Sequence, residues 1–206
     1  MTASFLAFGT CAVGGYLLGS IPFGVLATRL GGLGDIRNVG SGNIGATNVL
    51  RTGRRDLALL TLVGDAGKGA VAVLLATALV SPAAGAVAGG AAFLGHLFSP
   101  WLGFRGGKGV ATFFGVLFAT AWPVALAAGA TWIAVAAIFR YSSLAALTAA
   151  ALTPLYVGVG LGWTAPAFWL AFGMGALIFV RHRANIIRLL HANEPRIGSA
   201  KPASET

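Results

Sequence analysis

The strongest constraint in this sequence is where its charges are absent. All 14 lysines and arginines fall within residues 29–68, 105–108, 140 and 181–201, and long apolar segments run uninterrupted between them. A helix that crosses a bilayer needs about 20 apolar residues, or about 17 at the short end. Segments 3–28, 57–80, 83–98, 144–160 and 164–180 read as such crossings. Composition agrees: 57% of residues are hydrophobic and 9% charged, against about 25% charged in a soluble domain. A soluble fold of this size could not cover so much apolar surface with so few charges. Lipid is the better solvent, and an all-α, polytopic transmembrane helical bundle is the fold class it implies.

Segment 109–139 is too long for one crossing and short for two, and Trp122-Pro123 divides it near the middle. Proline favours the first turn of a helix over its interior, so two helices are expected. The positive-inside rule points the same way. If the segment crosses twice, every basic residue lies on the cytoplasmic side; if once, Arg140 and the basic tail are separated from Arg105 and Lys108. The reading is seven spans, with the N-terminus outside and the C-terminus cytoplasmic; a re-entrant pair at 109–139 would give the same sidedness. The apolar N-terminal run is long and precedes its first charge, Arg29, which fits a retained span better than a secretory signal. Residues 1–198 are expected to form one integral membrane domain, and 199–206 a disordered polar tail. Gly15-x-x-x-Gly19 and Gly85-x-x-x-Gly89 suit close helix packing in lipid. The lone Cys11 supports neither a disulfide framework nor a cysteine metal site. A net charge of +9 invites a nucleic-acid partner, but the basic residues form no continuous face, and none is expected.

Three polar stretches interrupt this pattern, all on the predicted cytoplasmic side. The first runs from Asp35 to Arg51 and contains Gly40-x-Gly42-x-x-Gly45, with Asp65 at a dinucleotide-fingerprint distance. That fingerprint needs a preceding strand, and here the flanks are membrane spans, so the match is a decoy. What remains is a Gly-rich loop before a short helix, carrying Ser41, Asn43, Thr47, Asn48 and Arg51. These groups suit a phosphate, and would equally serve as caps and turns of a polar loop. The second stretch, 95–112, holds Phe104-Arg-Gly-Gly-Lys-Gly-Val-Ala-Thr112. Leu102 and Gly109 stand where a nucleotide P-loop needs Gly and Ser or Thr. Gly106, Gly107 and Gly109 around Lys108 read as an anion nest of backbone N–H groups. The third follows the last span: His182 and Asn185 share a helical face, and His182 is the local group able to take a proton near neutral pH. Arg181, Arg183 and Arg188 read as stop-transfer and headgroup contacts.

Asp65 and Lys68 lie within the second span, where an ionisable pair is either a brace or a substrate contact. The five acids, Asp35, Asp56, Asp65, Glu194 and Glu205, are scattered, which argues against magnesium-dependent phosphotransfer. Chemistry alone leaves two readings open: a transferase for phosphorylated substrates, or a transporter or channel for a phosphorylated metabolite. The second would favour an internal inverted repeat, and none is evident.

In this order, the motifs resemble the PlsY-type acyl-phosphate-dependent glycerol-3-phosphate acyltransferases of bacteria. Gly40-Ser-Gly-Asn-Ile-Gly-Ala-Thr-Asn48 with Arg51 is similar to the family's first motif, Phe104–Thr112 to the second, and His182-Arg-Ala-Asn-Ile-x-Arg-Leu with Glu194 to the third. Gly19-Ser-Ile-Pro-Phe-Gly24, Asp65-x-x-Lys68-Gly69 and Gly95-His96 also look like family positions. Ala192 stands where relatives often carry Gly. The resemblance implies an inner-membrane enzyme that transfers a fatty acyl group from acyl phosphate to glycerol-3-phosphate, giving lysophosphatidic acid and phosphate, with its site facing the cytoplasm. It implies no metal or organic cofactor, and leaves room for a soluble enzyme that supplies acyl phosphate. Carried onto this chain, it makes Ser41, Arg51, Lys108, His182 and Asn185 catalytic. Gly42, Asn43, Thr47, Asn48, His96, Lys68, Gly106, Gly107 and Gly109 become substrate-binding. Either His182 or a substrate phosphate would accept the hydroxyl proton.

Overall fold

The computed structural model describes residues 2–198, and every regular element among them is helical. The predicted disordered tail at 199–206 lies outside the described residues. In chain order the α-helices are α1 (Thr2–Gly19), α2 (Phe23–Leu30), α3 (Ala46–Leu50), α4 (Arg55–Leu79), α5 (Pro82–Leu97), α6 (Val110–Thr120), α7 (Trp122–Phe139), α8 (Ser142–Leu161), α9 (Pro166–Arg181) and α10 (Arg183–Leu190). Proline sets several of the boundaries. Pro22 separates α1 from α2, and Pro82, Pro123 and Pro166 sit in the first turns of α5, α7 and α9, where a missing N–H costs nothing. Segment 109–139 is therefore two helices, broken at Ala121.

Four stretches are long and apolar enough to span a bilayer: Ser4–Leu30, Arg55–Leu79, Trp122–Phe139 and Ser142–Leu161. A fifth is reached if α9 and α10, bent by 62° at His182, count as one. Outward faces carry Leu59, Leu62, Val63, Leu74, Leu75, Ile133, Ile138, Trp169 and Phe172, all exposed in the isolated chain. Such a girdle is a liability in water and a requirement in lipid. This is an integral membrane, multi-pass protein.

Small residues set how closely the helices approach. A Cβ on Gly15 or Gly19 would strike the backbone of Ala88 or Ala92 in α5, and one on Gly115 would strike Ala66 in α4. Gly85 and Gly89 face α4 instead, against Thr77 and Val73. The main apolar core gathers Phe93, Leu97, Phe113, Val116, Leu117, Val124, Val157, Met174 and Ile178 from α5 to α9. A second cluster, Val25, Ile36, Ile44, Val49, Leu57, Ala58 and Leu102, anchors the first polar loop to α2 and α4.

The polar connections meet at one end of the bundle. Thr47 Oγ1 lies 3.2 Å from Ser142 Oγ, joining α3 to the start of α8. Arg181 at the end of α9 donates to the carbonyls of Gly106 and Gly107, at 2.7 and 3.1 Å. The C-terminal segment straps back onto the α7–α8 turn, with Ile197 N–H donating to Arg140 O at 2.6 Å and the Arg140 guanidinium donating to Ile197 O at 2.9 Å.

Candidate active site

Asn48 builds the first loop. Its buried amide donates to the carbonyls of Ile36, Val39 and Asn43 at 3.3, 2.9 and 2.8 Å, and its Oδ1 accepts from the N–H and hydroxyl of Ser41 at 3.0 and 3.2 Å. Every polar capacity of Asn48 is thereby used within the loop, which it shapes. Gly40 adopts φ +58°, and a Cβ there would lie 2.5 Å from Asn48 Oδ1. Asp35 caps the short turn Ile36–Asn38 and pairs with Arg37 and Arg29 at 2.6 and 3.0 Å. The Arg37 hydrogen bonds hold its carboxyl well below the usual range. Ser41, Thr47 and Arg51 are exposed, while Gly42, Asn43 and Gly45 complete the turn before α3.

The second loop departs from the anion nest expected of it. Gly106 N–H donates to Leu97 O at 3.0 Å and Gly107 N–H to His96 O at 3.1 Å. Both N–H groups are spent on C-terminal carbonyls of α5 that the helix itself leaves unbonded. These glycines are required for closeness: a Cβ on Gly106 would strike His96 O, and one on Gly107 the His96 imidazole. Gly109 takes φ +85° under the ring of Phe93 and leads into α6, whose first turn has no side-chain cap. Lys108 therefore projects between a fully bonded Gly-Gly link and an uncapped helix N-terminus. Among the described residues, neither the Lys108 ammonium nor the Arg51 guanidinium has a hydrogen-bond or salt-bridge partner. Burial pulls the Lys108 ammonium down to about 8; Glu194 opposes that, while Arg188, Arg51 and Arg181 add to it. Lys108 is thus within electrostatic reach of all three polar stretches.

His182 occupies the bend beyond the last turn of α9. Its Nδ1 lies 2.8 Å from Ile178 O; a carbonyl can only accept, so Nδ1 carries the proton and Nε2 holds a free lone pair. Burial, then the nearby Lys108 charge, pull its pKa down to about 4, so the imidazole is neutral at physiological pH. One helical turn on, the Asn185 amide donates to Glu194 Oε1 at 2.6 Å. Ser143 Oγ donates to the same oxygen at 2.7 Å, and Arg188 to Oε2 at 2.7 Å. Burial would raise the Glu194 carboxyl, but these three donors outweigh it and hold it below its ordinary value. With its NH2 so fixed, Asn185 presents a buried Oδ1 that has no partner among the described residues.

Lys68 and His96, expected as substrate contacts, bond to one another beneath the Lys108 loop. The Lys68 ammonium is buried and bonded to Ile21 O, Asp65 Oδ1 and His96 Nδ1 at 2.8, 2.7 and 2.8 Å. All three of its protons are bonded to protein groups. Buried His96 reaches the loop through Gly107. The sequence placed Glu194 in the third motif without a role and Arg181 among the stop-transfer cations, and it passed over Ser143. An isolated acid inside a basic tail was the available signal for Glu194; Arg181 looked like any other stop-transfer cation, and Ser143 carried no signal.

A family model described as glycerol-3-phosphate acyltransferase matches residues 9–192. The chain belongs to the glycerol-3-phosphate acyltransferase family. Relatives bearing that name include one from Caulobacter vibrioides, 63% identical over 98% of this chain and 93% of its own length. Another, from Rhodospirillum rubrum, is 60% identical over 97% of this chain and 95% of its own. Among solved structures, the glycerol 3-phosphate form of PlsY, an integral membrane glycerol 3-phosphate acyltransferase, superposes with a TM-score of 0.87 at 40% identity, covering 93% of this chain and 96% of that one. The lysophosphatidic acid form gives 0.85 at 38% identity, with 93% and 95% covered. Membership of this acyltransferase family makes the polar end of the bundle, where its three motifs meet, the candidate site of acyl transfer.

Proposed function

We propose that the chain transfers a fatty acyl group from an acyl phosphate to the primary hydroxyl of glycerol-3-phosphate. The hydroxyl oxygen attacks the acyl carbonyl carbon, the bond from that carbon to the phosphate oxygen breaks, and lysophosphatidic acid and inorganic phosphate leave. The observation that carries this reading is the pair of cations without protein partners, Lys108 and Arg51, beside the unpartnered Asn185 Oδ1 and the free Nε2 of His182. Two cations with empty coordination suit a reaction in which both substrates bring phosphate. The Ser41 hydroxyl can join them by exchanging its 3.2 Å bond to Asn48 for a phosphate oxygen.

Aligning two substrates can supply about 7–11 kcal/mol of the barrier. A fixed donor aimed at charge that grows in the transition state adds about 3–4 kcal/mol. In this reading Lys108 and Arg51 hold phosphate oxygens and Asn185 Oδ1 accepts from a glycerol hydroxyl. His182 Nε2 orients the attacking hydroxyl and takes its proton, or passes that role to the departing phosphate. The bundle crosses the inner membrane seven times with its N-terminus outside, residues 1–198 acting as one domain. The site faces the cytoplasm, where a soluble enzyme delivers acyl phosphate, and the acyl tail lies among the helices. Purified chain in detergent, given palmitoyl phosphate and glycerol-3-phosphate, is expected to release phosphate and form lysophosphatidic acid. Phosphate release no faster than background would end the proposal.

A further inference from the structure

Inside the bundle, beneath the Lys108 loop, lies a cluster of ionisable side chains that the proposed chemistry does not touch. Asp65 and Lys68 come from α4, His96 from the last turn of α5, and the Ile21 carbonyl from the break before Pro22. The Lys68 ammonium has three protons and three acceptors at 2.7 to 2.8 Å. An ammonium can only donate, so at 2.8 Å from Lys68 Nζ the His96 Nδ1 accepts, its 3.5 Å approach to Asp65 Oδ1 being the longer contact. That assigns the His96 ring proton to Nε2. The same nitrogen packs against Gly107, where a Cβ would strike it, while the His96 carbonyl takes the Gly107 N–H at 3.1 Å. His96 thus grips the residue before Lys108 by its ring and its backbone, and Arg181 holds the Gly107 carbonyl from the other side at 3.1 Å.

A buried ion pair is a weak source of net stability, and apolar residues of similar volume would hold α4 and α5 together as well. What apolar residues cannot do is fix the tautomer and tilt of a ring against a glycine. We propose that Asp65, Lys68 and His96 act as positioning residues for acyl transfer, setting through the His96–Gly107 contact the height at which Lys108 meets the substrate phosphate. The inference rests on the proposed role of Lys108 as a phosphate ligand. Asp65 anchors Lys68, Lys68 fixes the ring, and the ring seats the loop.

Two measurements test it. In wild type labelled with ¹⁵N-histidine, the His96 signal should show the Nε2–H tautomer, identified as the signal retained in both His182→Gln and His191→Gln. The Nδ1–H tautomer would overturn the relay. In kinetics, His96→Asn keeps an oxygen acceptor for Lys68 but withdraws the ring from Gly107, whereas Gly107→Ala drives a methyl group into the ring. Each should lower kcat by about 10-fold to 100-fold, as sub-ångström displacement of a catalytic group does, at near-normal melting temperature. In His96→Asn/Gly107→Ala the methyl occupies the vacated space, so the loss should be no larger than in His96→Asn alone. Multiplying losses, or full kcat in either single variant, would refute the contact as the route. If His96→Asn does not fold, the wild-type tautomer and the kcat of Gly107→Ala decide the matter. The two readings fail separately: a wild-type chain that transfers no acyl group defeats the proposed function, while the tautomer still reports on the relay.

Discussion

Lys68 and Lys108 are both lysines held among helices at the same end of one bundle, yet their surroundings are opposite. The Lys68 ammonium has a carbonyl, a carboxylate and an imidazole within 2.8 Å. The Lys108 ammonium, half-buried, has no protein partner among the described residues. A cation whose donors are filled has nothing left for a ligand, and its removal leaves Asp65 buried and uncompensated. A cation held partly out of water with its donors empty costs stability, and binding an anion recovers that cost. Saturation, more than residue type or depth, separates the brace from the proposed binding group.

The largest effect expected from this contrast is on folding. Lys68→Met should destabilise the chain by about 3–5 kcal/mol, the cost of leaving a buried charge without its partner, and Asp65→Leu/Lys68→Met should recover most of it. Thermal unfolding in detergent measures both, and a double variant no more stable than the single one would break the comparison. Lys108→Ala should do the reverse, lowering kcat/KM by about 100-fold to 1000-fold while the melting temperature holds or rises. Turnover near wild type would remove Lys108 from the site. Arg51→Lys keeps the charge but loses the planar fork. One missing charge-assisted hydrogen bond, at about 1.5–3 kcal/mol, predicts a fall in kcat/KM of about tenfold or more.

The pH dependence sharpens the contrast further. Lys108 must be protonated to hold phosphate, so kcat/KM should fall as pH rises through about 8. His182 must be neutral to accept a proton, so activity should fall as pH drops through about 4. Lys108→Arg should push the alkaline limb upward; an unmoved limb would assign it to another group. The smallest effect concerns a position outside both clusters. Ala192 adopts φ +57°, where a Cβ costs about 1–2 kcal/mol relative to glycine, so Ala192→Gly should raise the melting temperature slightly.

Much of the fold could be read from residues alone, because lipid tolerates few arrangements. The break at Ala121 was visible in Pro123, and the approach of α1 to α5 in Gly15 and Gly19. Saturation was not visible. Lys68 and Asn48 have the composition of ligands, and only coordinates show their partners: for Lys68 a carbonyl 47 residues away, for Asn48 the carbonyls of Ile36, Val39 and Asn43. Gly106 and Gly107 present a related ambiguity. A glycine needed for a bare N–H and one needed for close approach are the same letter, and here the second need applies. Glu194 was hidden because its partners, Ser143, Asn185 and Arg188, assemble only when the chain folds back on itself.

That fold-back couples the amide at the candidate site to the turn between α7 and α8. Glu194 is what aims Asn185 Oδ1, and Ile197 fastens the strap that carries it to Arg140. Loosening the strap at Arg140 would leave Lys108 and Arg51 in place while Asn185 loses its aim.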